Sequence, residues 1–126
     1  MSPFRSGAVR HEDGRTVVVL PVDPAEPVLA GHFPGFPIFP GVGLLGCAEQ
    51  AARSALDWAP AGPAELAAIE TARFLAPVFP GDRVVAEATV SPAGDGWRCP
   101  VRLTVTRPDG AELAAMVRFH FRRATP

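Results

Sequence analysis

The chain has 126 residues, of which 48% are hydrophobic and 20% are charged, and its formal net charge is −1. This length suits one domain with a modest core, and the composition is that of a globular protein. A charge near zero gives no reason to expect nucleic acid or an anionic membrane surface as a partner. No stretch approaches the roughly 20 apolar residues of a membrane span. We therefore predict a single domain over residues 1–126, with neither nucleic acid nor membrane as a partner.

The two cysteines, Cys47 and Cys99, are too few for a disulfide framework and lack the spacing of a metal site. We expect both to be buried thiols, as in proteins of a reducing compartment. The first residues, M-S-P-F-R-S-G, contain no apolar run of the kind that a signal peptide has. These features predict a cytoplasmic protein that binds no metal.

The first predicted elements are two strands, Ala8–His11 and Arg15–Val22, joined by a tight turn at Asp13 and Gly14. The run T-V-V-V-L at 16–20 is β-branched and strongly apolar, which favours a strand. Prolines at 21, 24 and 27 then end regular structure. A loop follows, and it leads to the segment G-H-F-P-G-F-P-I-F-P-G-V at 31–42.

One long helix is predicted from Val42 to about Leu56. Its apolar residues cover more than one stripe, so we expect burial on most of its circumference, as when a sheet wraps around a helix. Gly43 and Gly46 in its first turns should each cost about 1 kcal/mol relative to alanine. A close approach by a backbone or a ligand would explain why both glycines are tolerated.

Four more strands are predicted after the helix, at about 66–75, 83–90, 97–107 and 111–122, separated by turns rich in Gly, Pro and Asp. A single helix among about six strands indicates the α+β class, with a curved antiparallel sheet around the helix. One such sheet covers only one side of a helix well, so we expect a second subunit to help. Alternation in the last strand predicts one shared face for Leu113, Ala115, Val117, Phe119 and Phe121.

Two separated segments resemble the β-hydroxyacyl-acyl-carrier-protein dehydratase family. The segment at 31–42 is similar to the family's active-site segment, and A-R-F-L-A-P-V-F-P-G-D at 72–82 is similar to its R-F-x-x-P-V-x-P-G-D region. The resemblance implies the hot-dog fold and dimers with active sites at the interface. It also implies the removal of water from 3-hydroxyacyl groups on an acyl carrier protein, in fatty-acid or polyketide biosynthesis. No cofactor is implied, because the phosphopantetheine arm belongs to the carrier.

The predicted catalytic base is His32, because an imidazole titrates near neutral pH and can take the Cα proton. The helix N-terminus offers free N–H groups and a positive dipole end to the enolate-like oxygen. By resemblance, the thioester oxygen accepts a hydrogen bond from the backbone N–H of Gly41. The phenylalanines of this region would line an acyl tunnel, with core packing or a dimer contact as the alternative. The other predicted substrate-binding residues are Val42, Phe33, Phe39 and Gln50.

The general acid is missing from its expected place. The family has Glu or Asp fourteen residues after the histidine, where this chain has Gly46. Glu49 is the first candidate to replace it, displaced by about 4.5 Å along the helix axis and about 60° around it. The simpler interpretation of Glu49 is an ion pair with Arg53 at i,i+4.

Two further explanations stay open beside Glu49. In the family, each site takes its histidine from one subunit and its carboxylate from the other, so a Glu-bearing second hot-dog subunit could complete a heterodimer, which is the explanation we favour. Otherwise the chain is a non-catalytic scaffold subunit. A hot-dog acyl thioesterase is the enzymatic alternative, with a helical carboxylate as base or nucleophile. Arginines that could receive an acidic carrier and its phosphate, or simply be solvated, are Arg118, Arg122 and Arg123, with Arg73 and Arg83.

Overall fold

The computed structural model describes residues 8–12, 14–21, 41–59, 61–79 and 81–124. One helix packs against one antiparallel sheet, which confirms the predicted α+β class. The elements in chain order are β1 (Ala8–Glu12), β2 (Arg15–Pro21), α1 (Gly41–Trp58), β3 (Ala64–Phe74), β4 (Arg83–Ala88), β5 (Ser91–Ala93), β6 (Gly96–Arg107) and β7 (Gly110–Arg123).

The strands follow the order β1-β2-β4-β6-β7-β3, and β5 pairs with β6 beside β4. The hairpin of β1 and β2 is confirmed, and Gly14 has the left-handed φ of 76° that suits its tight turn. The helix connects β2 to the strand at the far edge of the sheet. It begins one residue before and ends two residues after the predicted bounds of 42–56.

One side of α1 is fully buried against the sheet. Its small alanines let the helix backbone come close to the strands, and the larger side chains fill the remaining space. The residues on this side are Leu44, Cys47, Ala48, Ala51, Ala52, Ala55 and Leu56.

The other side of α1 forms a stripe that the sheet does not cover. We call it the open stripe, and it consists of Leu45, Gly46, Glu49, Gln50, Arg53, Ser54 and Asp57, which are half-buried or exposed. These positions follow the spacing of one helix face. Burial is therefore narrower than the sequence predicts, and one sheet does leave one side of the helix open, as expected.

The concave face of the sheet supplies the rest of the core. Alternate residues of the central strands point at α1 and are almost completely buried, as the two-residue period of a strand requires. They include Val84, Ala86 and Ala88 of β4, Cys99, Val101, Leu103 and Val105 of β6, and Ala115, Val117, Phe119 and Phe121 of β7.

The sheet has seven strands where about six were predicted, because the short strand β5, at Ser91–Ala93, follows β4 beyond the predicted strand of 83–90, and a break opposite Pro100 separates the two. The pairing register runs through the break, with Ala88 opposite Val101 and Ser91 opposite Arg98. The N–H of Thr89 donates to the carbonyl of Pro100 at 3.3 Å. A facing pair of this kind normally exchanges two hydrogen bonds, but proline has no N–H to return the second. The ladder is therefore interrupted at this pair.

The predicted face of β7 is correct for four of its five residues and wrong for Leu113. A register shift between Leu103 and Thr104 of β6 leaves Ala114 as an extra residue in β7. Beyond that bulge, Leu113 lies opposite Thr104, on the convex face of the sheet. A single inserted residue exchanges the two faces of a strand, so simple alternation fails at this point.

The edge strand β3 contains two further register shifts, at Ala67 and at Glu70. Its residues opposite the inward-facing positions of β7 are Leu66, Ile69, Ala72 and Phe74. Ile69 and Phe74 are nevertheless 46% and 49% exposed, because α1 does not cover this edge. The open stripe and the inner face of β3 are thus both incompletely covered within one protomer.

Candidate active site

The predicted base and acyl-tunnel residues, His32, Phe33 and Phe39, lie outside the described residues. Their assignment stays a prediction. The two ends of the segment that contains them are described: Pro21 closes β2 and Gly41 opens α1. Pro21 also pairs with Arg83, the first residue of β4.

The helix begins at Gly41 and Val42, where the sequence predicts the oxyanion site. No acidic residue occurs in the first turn. The N–H groups and the positive dipole end of α1 therefore face no internal carboxylate from that turn, and they can stabilise an oxygen that gains negative charge. This is the electrostatic element that an enolate-forming reaction requires.

The opposite end of α1 is anchored by an aromatic stack. The rings of Trp58 and His11 lie 4.3 Å apart and nearly parallel, at 5°. His11 Nδ1 and Thr16 Oγ1 share a hydrogen bond of 2.7 Å, and Thr16 is buried. These contacts fix the last turn of the helix to the hairpin of β1 and β2, and they give His11 a structural role.

Gly46, where the family resemblance predicts an acid, lies on the open stripe and is half-buried. Gln50, one turn further on, lies on the same stripe. A carboxylate at position 46 would therefore project from the side of α1 that its own sheet leaves uncovered. That side is where a second subunit can meet the helix.

Glu49 forms the predicted ion pair within α1. The Arg53 Nε donates a hydrogen bond of 2.8 Å to Glu49 Oε2, and both side chains are partly exposed. The guanidinium of Arg53 also lies 5.2 Å from the centre of the Phe121 ring. Such a pair contributes only a few tenths of a kcal/mol, so it does not lock Glu49 in place. In the paired arrangement the carboxylate meets Arg53, which lies one turn toward the C-terminus and away from Gly41.

The second motif, at 72–82, is a loop held together by Asp82. The N–H of Phe79 donates to Asp82 Oδ2 at 2.8 Å, and the N–H of Asp82 donates to the carbonyl of Phe79 at 3.1 Å. Gly81 occupies the left-handed region at φ 86°, which explains why the motif has glycine there. These contacts within the loop bring Phe79 and Asp82 together.

Arg107 clamps this loop from the end of β6. Its Nη2 donates to Asp82 Oδ2 at 3.0 Å and to the carbonyl of Pro77 at 2.8 Å, and its Nε donates to the same carboxylate at 3.2 Å. The hydrogen bond that Arg107 donates to Asp82 raises the pKa of its guanidinium. Sequence reasoning missed Arg107, because 25 residues separate it from Asp82 and no motif contains it.

The clamped loop carries exposed apolar side chains, which we call the apolar rim: Phe74, Leu75 and Phe79. Phe74 and Leu75 are each about half exposed. Because Pro21 pairs with Arg83, the end of the loop lies beside the point where the chain leaves β2 for the predicted catalytic segment. Adjacent exposed apolar residues of this kind mark a surface for a ligand or a second subunit.

Neither cysteine has the character of a nucleophile. Cys47 and Cys99 are both completely buried and unpaired. Burial raises the pKa of the Cys99 thiol to about 12 and that of the Cys47 thiol higher still. A thiol reacts as its thiolate, so both side chains act as small core residues, as predicted.

The arginines proposed for carrier binding are engaged in different ways. Arg118 and Arg122 pair with glutamates of β3, at 3.1 and 2.6 Å, and Arg123 lies 5.1 Å from the centre of the Trp97 ring. All of these side chains are near the surface. Arg73 and Arg83 are exposed and form no ion pair with any residue that the structure describes.

Within the described ranges, no three side chains of His, Cys, Asp or Glu come together in a way that could hold a metal ion. The same part of the chain contains no helix with the length and hydropathy needed to cross a membrane.

Comparison with known proteins finds dehydratases among the relatives of this sequence. The sequence is 48% identical over 66 residues to the 3-hydroxyacyl-[acyl-carrier-protein] dehydratase FabZ of Thermus thermophilus. That match covers 49% of this chain and 46% of the relative, so the chain spans about half the length of the curated relative it matches.

Two solved structures are similar over nearly the whole chain. The dehydratase heterocomplex ApeI:P from Xenorhabdus doucetiae has a TM-score of 0.73 at 20% identity and covers 95% of this chain and 98% of its own. An acyl-CoA hydrolase from Agrobacterium tumefaciens has a TM-score of 0.74 at 21% identity and covers 93% of this chain and 47% of its own. These similarities confirm the predicted hot-dog fold.

The family assignment rests on the length of the sequence match. The sequence model of the ApeI dehydratase family matches residues 8–119, which include the helix and all strands up to the greater part of β7. The chain therefore belongs to the ApeI-like dehydratase family.

Proposed function

We propose that the chain is a 3-hydroxyacyl-carrier-protein dehydratase of fatty-acid or polyketide biosynthesis, and that it works as one subunit of a heterodimer. The observation that carries the proposal is the position of Gly46 on the open stripe, because the family resemblance predicts an acid at this residue. The name of the FabZ relative supports the reaction and its acyl carrier protein substrate. The ApeI:P heterocomplex supports a partnership between two different chains.

In the proposed mechanism, His32 removes a proton from the Cα of the 3-hydroxyacyl thioester. The N–H of Gly41 and the dipole of α1 stabilise the negative charge that develops on the thioester oxygen. A carboxylic acid of the partner then protonates the 3-hydroxyl group, which leaves as water, and the electron pair of the broken C–H bond forms the 2,3 double bond. The phosphopantetheine arm belongs to the carrier, so the chain needs no cofactor of its own for this step.

The same chemistry places the partner at the open stripe. A subunit with a Glu or Asp at its own position equivalent to Gly46 would offer the carboxylate that this chain lacks. The exposed inner face of β3 and the apolar rim provide further apolar surface for the association. Two free buried thiols agree with a cytoplasmic location, which we retain as part of the proposal.

Gly46 also supports a second candidate, a non-catalytic scaffold subunit. The two candidates differ in what His32 does. We therefore propose to purify the chain with its hot-dog partner and to follow the dehydration of 3-hydroxyacyl carrier protein by mass spectrometry. His32→Ala should lower the rate of the complex at least about 100-fold, as expected when a general base is lost. An unchanged rate would establish the scaffold role instead.

A gain of function tests the missing acid directly. Gly46→Glu should give the isolated chain a dehydration rate at least about tenfold above that of the unmodified chain, because a homodimer would then supply both groups. Ser54→Glu is the matched control, since it adds the same charge to the open stripe two turns away. An inactive Gly46→Glu variant with an intact fold would remove position 46 as the site of the acid.

Glu49 remains a predicted acid with a test of its own. If Glu49 served as the acid, Glu49→Gln would abolish activity in the native complex. Arg53→Gln would remove the ion pair and leave the Glu49 carboxylate more mobile. We expect both variants to retain more than about half of the activity, because the pair of Glu49 and Arg53 at 2.8 Å is a surface contact. Hydrolysis of the thioester with release of free thiol would instead favour the thioesterase alternative.

A further inference from the structure

The convex face of the sheet, on the side away from α1, contains a groove of about 350 Å³ that the proposed dehydratase chemistry does not use. Its polar lining consists of three arginines, one glutamate and two threonines, and its floor is apolar. We call it the arginine groove. The residues that matter for its chemistry are Arg15, Arg102, Arg118, Glu87, Thr71 and Thr89.

The groove lies where the hydrogen-bond ladder is interrupted. Thr89 and Pro100, the pair that exchanges only one hydrogen bond, both line it. The carbonyl of Thr89 loses the donor that any other residue at position 100 would provide. The interruption ends β4 and opens the surface between the strands.

Charge within the groove is unbalanced. Three guanidiniums and one carboxylate line the groove, and Glu70, which contacts Arg118, also pairs with Arg98; the four guanidiniums and two carboxylates together give 4 − 2, a net charge of +2. Arg15 Nη1 donates to Glu87 Oε2 at 3.0 Å, and Arg118 contacts Glu70 through its Nε at 3.1 Å. Each of these guanidiniums has five N–H donors, so both keep donors for another acceptor.

Arg102 is the residue without a counterion. It pairs across the ladder with Glu87 on one side and Met116 on the other, and it is exposed. No carboxylate of the described residues lies within ion-pair distance of its guanidinium. The facing carboxylate, Glu87, pairs with Arg15 instead. On a chain with a net charge of −1, this is a local concentration of positive charge.

We propose that the arginine groove binds a small organic phosphate. A phosphate monoester carries a charge of about −1.5 to −2 at neutral pH, which matches the excess of +2, and guanidinium groups bind phosphate oxygens in a forked geometry. The threonine hydroxyls supply further donors. The apolar part of the floor, which includes Met116 and Pro100, fits a short apolar body attached to the phosphate.

The arginine groove contains none of the proposed catalytic groups, and Arg118 is the one residue it shares with the arginines considered for carrier binding. Its strand residues belong to the outward face of β2, β3, β4, β6 and β7, whereas the predicted base, oxyanion site and acid position belong to α1 and the segment before it. Loss of the groove would therefore leave the dehydration chemistry in place, and the two proposals can fail separately.

Titration calorimetry with n-butyl phosphate at low salt tests the proposal. We expect one saturable site per chain, with butyl phosphate binding more tightly than inorganic phosphate and with no detectable binding of n-butanol. Arg102→Gln should weaken the binding of butyl phosphate by about tenfold, the loss that follows from removing one charge-assisted hydrogen bond. Arg102→Lys, which keeps the charge, should recover part of the affinity.

Arg83→Gln is the matched control, because Arg83 is an exposed arginine of the same convex face that does not line the groove. Its affinity for butyl phosphate should stay within about twofold of that of the unmodified chain. Equal weakening in the two variants would reduce the interaction to general charge attraction and overturn the proposal. The absence of a saturable site in the unmodified chain would overturn it as well. Equal affinity for butyl phosphate and inorganic phosphate would contradict the binding of an apolar body by the groove floor.

Discussion

Arg107 is the single residue on which the shape of the 77–82 loop most depends. It reaches the carboxylate of Asp82 and the carbonyl of Pro77, while the carboxylate also accepts the N–H of Phe79. One guanidinium and one carboxylate thus bond polar groups of the backbone at two points of the loop, Pro77 and Phe79. The apolar rim keeps its position beside the end of β2 because of this arrangement.

The two acidic partners of Arg107 offer a direct test of this role. Asp82 is nearly buried, whereas Glu112 contacts Arg107 at 3.6 Å from an exposed position. Asp82→Ala should lower the free energy of unfolding by about 2 kcal/mol, because it leaves hydrogen-bond donors of the loop unsatisfied. Glu112→Ala should lower it by about 0.5 kcal/mol or less. Urea denaturation of the two variants measures both values, and equal losses would contradict the clamp.

Contacts between single residues were predictable where they are local. The pair of Glu49 and Arg53 follows from helical spacing, and the burial of the two cysteines follows from their apolar surroundings. The clamp of Asp82 by Arg107, and the pair of Glu70 with Arg98 at 2.9 Å, join residues 25 and 28 positions apart. Such pairs depend on strand order and register, which a single sequence does not specify.

At the scale of elements, Pro100 has a larger effect than its exposed position indicates. It is part of a central strand, where proline is rare because every N–H is needed for the ladder. Pro92 in β5 differs from it, although both prolines belong to neighbouring strands. Hydrogen-bonded and non-hydrogen-bonded pairs alternate along the ladder, so the pair of Thr89 with Pro100 is bonded and the pair of Pro92 with Trp97 is not.

This difference predicts the behaviour of two matched variants. In Pro100→Val, the new amide should bond to the carbonyl of Thr89 and should exchange with solvent at least about 100-fold more slowly than a free amide. In Pro92→Val, the new amide points away from β6 and should exchange freely. We expect each variant to change the free energy of unfolding by less than about 1 kcal/mol, since a gained hydrogen bond is offset by a less restricted unfolded chain. Hydrogen exchange followed by NMR separates the two amides, and protection of both or of neither would contradict the assignment.

The elements themselves were largely predictable. The helix, the first hairpin and the long strands have strong periodicity or clear turn signals, and their ends agree with the structure to within about two residues. The short strand β5 and the bulges were not predictable. A bulge places one residue outside the ladder without leaving a distinct local signal, as the misplacement of Leu113 shows.

For the molecule as a whole, the composition makes the alkaline limit of stability unusually simple. The chain has neither lysine nor tyrosine, so in the unfolded chain the two cysteines are the side chains that titrate near pH 9. Burial raises the pKa of the Cys99 thiol from 9.0 to about 12, and the pKa of Cys47 is raised further. In this range the unfolded chain releases protons that the folded chain keeps, so the free energy of unfolding falls as pH rises.

The stabilising contribution of the thiols should be fully present below about pH 9 and should decline above it. With two thiols, the free energy of unfolding should fall by up to about 2.7 kcal/mol per pH unit. Urea denaturation in the presence of a reductant, at pH 8, 9.5 and 10.5, measures this slope. Cys99→Ala should reduce the slope by about half. A flat profile between pH 9 and 10.5 would mean that the thiols are not protected by burial.

The whole protomer also explains how far the candidate site could be predicted. Two motifs, one leading into the helix start and one ending beside β2, were sufficient to predict the family and the hot-dog fold, because both resemble segments of the same family in the same order. The sequence also predicted that the family's acid is absent at position 46, where this chain has glycine. It did not show that Gly46 lies on the open stripe, because the covered side of a helix depends on how the sheet packs. The role of His32 stays a prediction until His32→Ala is measured, and the roles of Gly41 and Gln50 stay predictions as well.

The two bulges of β3 have a consequence for insertions and deletions. Ala67 and Glu70 are extra residues in the pairing with β7, so the inward positions Leu66, Ile69 and Ala72 are three residues apart instead of two. Removing either extra residue would straighten the strand locally and restore regular alternation on the far side. A deletion elsewhere in a paired strand would turn every following side chain to the wrong face. Homologous chains should therefore vary in length at these two points of β3 more readily than in the uninterrupted pairing of β4 with β6.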